Sequence, residues 1–109
     1  MIRVSIKRDK TGLVREFTIR GHSGFDEPGR DIICSAVSAI AYTALGGLQE
    51  LAGVVNHKER AGYMKFQLPL LDNEEVERTA RIILDTMVIG LRQIENTYGS
   101  YIKVVDEEV

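Results

Sequence analysis

The chain has 109 residues, with 14 Lys and Arg against 16 Asp and Glu, a net charge of −2, one cysteine and two histidines. This length suits one domain, residues 1–109, with a core that needs no staples. The acidic balance lacks the basic total of nucleic-acid binders, so no direct nucleic-acid partner is expected, although 14 cations leave room for a local basic patch. The single cysteine excludes an internal disulfide and a tetrahedral Cys/His cluster, so no metal or cofactor is expected and a reducing, cytoplasmic setting is favoured.

Ile2, Val4 and Ile6 alternate with Arg3, Ser5 and Lys7, the period of a half-buried strand, and this charged start is unlike a secretion signal. Asp9-Lys10-Thr11-Gly12 reads as a turn, after which Leu13, Arg15, Phe17 and Ile19 continue with period two, completing a hairpin. A loop over Gly21–Arg30 follows. Asp31 then caps a helix over residues 32–52 that ends near Gly53. Residues 32–49 are uncharged and long enough to cross a bilayer. Their serines, glycines and Gln49 favour a buried helix instead, so no membrane partner is expected.

Val54–Lys58 and Tyr63–Leu68 form a second strand pair around Glu59–Gly62, with Met64, Phe66 and Leu68 on one face. Asn73 caps a long helix with Val76, Ala80, Ile83, Met87, Leu91, Ile94 and Tyr98 at helical spacing. Glu74, Glu75 and Glu77 in its first turns suit the helix dipole. Tyr101–Val105 forms a last strand before an acidic tail, Asp106–Glu108, read as a solvated end. The order ββαββαβ, with alternating strands, predicts a two-layer α+β domain: one mixed or antiparallel five-stranded sheet with both helices on one face. Ile82 and Ile89 lie off the main stripe of the second helix. That is consistent either with packing inside one chain or with a homodimer through helix faces.

The loop GHSGFDEPGRDIIC, residues 21–34, holds His22 and the lone Cys34 at its two ends. It exceeds the usual two to six residues of such connections, and Gly21, Gly24 and Gly29 serve as its hinges. A phosphate loop is disfavoured, because Arg30 and Asp31 follow Gly29 where Lys and Ser or Thr are needed, and Asp26 and Glu27 repel anions. A serine elbow fails at Phe25. With Asp31 as N-cap, Cys34 falls in the first helical turn, where free N–H groups and the dipole favour a thiolate. His22, folded back over the helix start, is placed to take the thiol proton and return it to a leaving amine. Helix N–H groups near Cys34 are candidates for an oxyanion, and Ser38 lies one turn below Cys34. Asp31 caps the helix, orients His22, or does both. Equally, Cys34 suits a small core position, His22 a solvated turn and Ser38 a helix-packing position. Tyr42 and Phe25 are candidates for an apolar substrate pocket, and His57 reads as an exposed strand residue.

The stretch GHSGFDEPGRDIICSAVSAI resembles the signature of the ribosomal-processing cysteine proteases (Prp), a Gly-His-Ala-Gly loop followed by Asp-x-x-Cys-x-Ala-Val-Ser. The matching positions are Gly21, His22, Gly24, Gly29, Asp31, Cys34, Ala36, Val37 and Ser38. The pattern departs at Ser23 and Ser35, where alanine is expected, and Ser23 bears on how the loop closes. The resemblance covers the whole chain. It implies a cytoplasmic, homodimeric endopeptidase with His22 as general base and Cys34 as nucleophile. The implied partner is the hydrophobic N-terminal extension of large-subunit ribosomal protein number twenty-seven. A non-catalytic ribosome-associated peptide-binding module is the alternative.

Overall fold

The computed structural model describes residues 1–109, in the order β1 (Ile2–Arg8), β2 (Val14–Arg20), α1 (Ile32–Ala52), β3 (His57–Arg60), β4 (Tyr63–Gln67), α2 (Glu74–Tyr98) and β5 (Ile102–Glu108). One five-stranded sheet runs β3-β4-β2-β1-β5. Its neighbours are antiparallel except β1 and β5, which are parallel, so the sheet is mixed. The two-layer α+β expectation holds.

Alternation carries each strand's apolar residues to the helix-covered face. Ile2, Val4, Ile6, Phe17, Phe66, Ile102 and Val104 are all buried there. Phe17 and Phe66 stack with ring centroids 5.4 Å apart, and burying each of these large side chains stabilises the fold by about 2 kcal/mol. A register shift at the β1–β2 ladder pairs Arg8 with Val14 and skips Arg15. Val14 therefore enters the core in place of Arg15, contrary to the simple alternation.

α1 is long and apolar enough to cross a membrane by length and composition. Here Ile33, Val37, Ala41, Ala44, Leu45 and Leu48 form a buried stripe facing the rest of the core. α1 and α2 approach closely at Gly90, where an added Cβ would meet Ile40 Cδ1 at 3.2 Å. The buried stripe of α2 is Ala80, Leu84, Met87, Val88 and Leu91, while Ile82 and Ile89 remain exposed.

The bounds of β3 and β5 differ from the sequence reading. β3 begins at His57 rather than Val54, because the Val54 N–H is held by the Leu48 carbonyl at the end of α1. β3 also reaches Arg60, leaving only Ala61 and Gly62 to turn. The acidic tail is part of β5, which gains four ladder pairs with β1 beyond Val104. Asp106 accepts from Arg8 Nε at 2.8 Å and faces Arg92 at 3.7 Å, so it is a paired group rather than a solvated one.

Candidate active site

β2 delivers its last residue to a point where the chain leaves the sheet at Gly21. Its φ is 90°, and an added Cβ would stand 2.6 Å from the Met1 carbonyl oxygen. Its N–H donates to the Gly62 carbonyl at 2.8 Å, which pins the loop to the β3–β4 turn. His22 follows, exposed, with its ring over Gly62: an added Cβ there would meet Nε2 at 3.0 Å. Gly24 and Gly29 also have positive φ, 74° and 88°, in open space.

At the other end of the loop, Asp31 caps α1. Its Oδ1 accepts from the N–H groups of Ile33 at 3.0 Å and Cys34 at 2.9 Å, and its carbonyl accepts from Ser35. The Ser23 hydroxyl donates to Oδ2, and Ser23 Oγ accepts from the Phe25 N–H at 3.0 Å. Both Asp31 oxygens are thus engaged, and no hydrogen bond joins Asp31 to His22. Asp31 caps α1 and clasps the loop through Ser23. The helix N–H groups proposed for an oxyanion are taken by Asp31 as well.

Cys34 is half-buried in the first turn of α1, and its Sγ accepts from the Ser23 N–H at 3.4 Å. Cys34 and His22 line one open cleft of about 440 Å³ but are not hydrogen-bonded to each other. Cys34, Ser38 and Tyr42 recur every four residues and form the α1 wall. The opposite wall is the β3–β4 hairpin, Glu59–Tyr63. The Tyr42 hydroxyl donates to the Glu59 carboxylate across the cleft, and that bond holds the Tyr42 pKa above its ordinary value. Phe25 does not line the cleft. It packs edge-on against Tyr98 and Tyr101 at 6.1 and 5.2 Å, anchoring the loop to the end of α2 and the turn before β5. His57 is exposed on β3, as expected.

Burial opposes ionisation of Asp31, but hydrogen bonds from Ser23 and the Cys34 N–H outweigh it and hold the carboxyl at about 2. The folded value lies below the unfolded one of about 3.9, so this interaction stabilises the fold above about pH 4 and is lost as pH falls towards 2. The urea midpoint is expected to drop over that window, and to drop less in Asp31→Asn. Asp9, also lowered by its bonds to Thr11, remains in both proteins and does not blur the difference. Superimposable pH profiles would contradict the clasp.

Sequence reasoning brought together Cys34, His22, Asp31 and Ser38, with Tyr42 in the wall. It missed Ser23 as the tie between loop and helix cap. It also missed the Glu59–Gly62 wall, since alternation does not state which hairpin lies beside the loop.

A family model described as cysteine protease Prp matches residues 1–103. The ribosomal processing cysteine protease Prp of Bacillus subtilis is 29% identical over 107 residues, covering 95% of this chain and 96% of that protein. Its Staphylococcus aureus counterpart is 30% identical over 107 residues, covering 95% and 97%. The crystal structure of S. aureus Prp with a covalently linked product peptide superposes with a TM-score of 0.80 at 26% identity, covering 98% of this chain and all of that one. A Streptococcus mutans protein superposes with a TM-score of 0.82 at 25% identity, covering 100% and 96%.

Proposed function

We propose that this chain, which belongs to the cysteine protease Prp family, removes a short hydrophobic N-terminal extension from large-subunit ribosomal protein number twenty-seven in the cytoplasm. The observation that carries this reading is the placement of His22 and Cys34 on one open cleft, with Sγ at a capped helix start.

His22 takes the Cys34 thiol proton as the substrate peptide enters, which requires the imidazole to move from Gly62 towards Sγ. Sulfur then attacks the scissile carbonyl carbon, and the carbonyl oxygen becomes an oxyanion. The Ser23 N–H, already 3.4 Å from Sγ, is the donor at hand for that charge. As the tetrahedral intermediate collapses, the C–N bond breaks and His22 returns its proton to the leaving amine. Water, deprotonated by the same imidazole, hydrolyses the thioester and regenerates the thiol. Ser38 adds a hydroxyl to the α1 wall of the cleft, and Gly21, Gly24 and Gly29 allow the loop to open for the peptide.

A homodimer is the second part of the proposal. Ile82 and Ile89 are 60% and 58% exposed on α2, and Leu51 is 70% exposed on α1. With Ile40, Ile82 and Leu51 border an apolar groove of about 600 Å³ between the helices.

Incubation with the precursor ribosomal protein, followed by intact mass measurement, tests the activity. Loss of the extension's mass is expected; stable binding with the mass unchanged would instead identify a peptide-binding module. Light scattering on the same sample should return twice the 12.2 kDa chain mass, and a monomer at all concentrations would remove the dimer.

A further inference from the structure

The sheet face that the helices leave open has a charge distribution concealed by the chain's total. Pairing aligns Lys103 on β5, Arg3 on β1, Arg20 on β2, Tyr63 on β4 and Arg60 on β3 in one row across all five strands. The next row adds Lys65 and Lys58, and the third adds Lys7 with Glu16 and Glu107. This face therefore carries seven cations and two carboxylates, on a chain whose net charge is −2.

Both carboxylates lie in the third row, where Glu16 sits 3.6 Å from Lys7 and 3.5 Å from Lys65. No carboxylate lies within 4.0 Å of Lys103, Arg3, Arg20 or Arg60. Like charges directly opposite one another on neighbouring strands destabilise a sheet. Lys103, Arg3 and Arg20 are three such neighbours in sequence across the ladder. An anion laid over the row would relieve that repulsion.

The shape narrows the anion. Strands stand about 4.8 Å apart, so the row spans about 19 Å, too long for one phosphate and suited to a run of them. A shallow depression of about 430 Å³ lies over the face, bordered by Arg3, Lys7, Arg20, Tyr63, Lys65 and Lys103. The Arg60 and Arg20 guanidinium groups lie over the Tyr63 ring, 4.5 and 5.7 Å from its centroid, so planar cations and an aromatic ring are stacked along one end of the row. Bases splayed from a single strand stack on guanidinium planes as they do on aromatic rings, a face-to-face contact that the carboxylates of an acidic peptide do not make. A flat sheet also lacks the projecting helix or ribbon that enters a duplex groove.

We propose that this open face binds single-stranded RNA through the Lys103–Arg3–Arg20–Tyr63–Arg60 row. The choice of RNA rests on the ribosomal-protein reading above; the binding itself is independent of cleavage. Arg60 and Tyr63 also line the cleft, so RNA held on the row would lie beside the cleft entrance.

Fluorescence anisotropy with a labelled twelve-nucleotide RNA of mixed sequence tests this, using the full chain as Cys34→Ala so that cleavage plays no part. Four neutralised phosphates give a salt slope near −3, so affinity should fall about 50-fold between 50 and 200 mM salt. The double variant Arg3→Glu with Lys103→Glu, neither of which lines the cleft, should weaken binding at least tenfold. The same pair in an otherwise wild-type chain should leave cleavage of a short free peptide unchanged. The proposal is overturned by absence of binding at 50 mM salt, by undiminished binding in the double variant, or by equally tight binding of a poly-aspartate peptide of matched charge. Failure of the wild-type chain to cleave would sink the protease reading and leave the RNA result standing.

Discussion

Cys34→Ala is expected to abolish precursor cleavage, lowering the rate at least about 10⁴-fold, while the protein remains folded. Removing the nucleophile of a covalent mechanism costs about as much as removing the whole catalytic set. The structural cost is small, because Sγ is half-buried and the Ser23 N–H reaches it only by a long contact. His22→Ala should lower the rate about 10²- to 10⁴-fold, the usual contribution of a positioned general base. Its ring is exposed and rests on Gly62, so stability should change little. Cleavage is followed by intact mass over time, alongside urea unfolding of each variant. A folded Cys34→Ala protein that still cleaves would end the assignment of the nucleophile.

Gly21→Ala should be the most damaging single-methyl change in the loop, costing about 3 kcal/mol. Two penalties act together at this position. A φ of 90° is unfavourable for any side chain, and the new Cβ meets the Met1 carbonyl oxygen at 2.6 Å, a backbone atom that cannot swing aside. The chain can escape only by releasing the Gly21 N–H from Gly62, which would displace His22 as well. Gly24→Ala separates these penalties: its φ is 74°, but no atom lies within 4 Å, so about 1 kcal/mol is expected. Urea midpoints at constant slope measure both. Equal losses in the two variants would show that the Met1 contact is unimportant.

Local periodicity made the elements legible. Ile2, Val4 and Ile6 declared β1, and Asp31 and Asn73 declared both helix starts, each now seen accepting from two N–H groups. The loop was legible too, because its scarce residues and glycines stood out against an ordinary background. Lateral order was not. Nothing in the alternation of β5 says that it lies parallel to β1, yet that neighbour turns Asp106 into a partner of Arg8 and sets Lys103 beside Arg3. Ser23 escaped for a related reason. Its importance comes from a hydrogen bond to a residue eight positions away, which a loop without regular spacing does not announce. The net charge likewise averages over faces that the sheet separates.

The sheet order has a consequence for the protein's behaviour in concentrated solution. β3 and β5 are its two edges, each with unpaired backbone groups that invite another chain to add a strand. β3 is only four residues long, and all four, His57, Lys58, Glu59 and Arg60, have titratable side chains. β5 ends in Asp106, Glu107 and Glu108. Both edges are charged and one is also short, so they resist the edge-to-edge pairing that seeds aggregates.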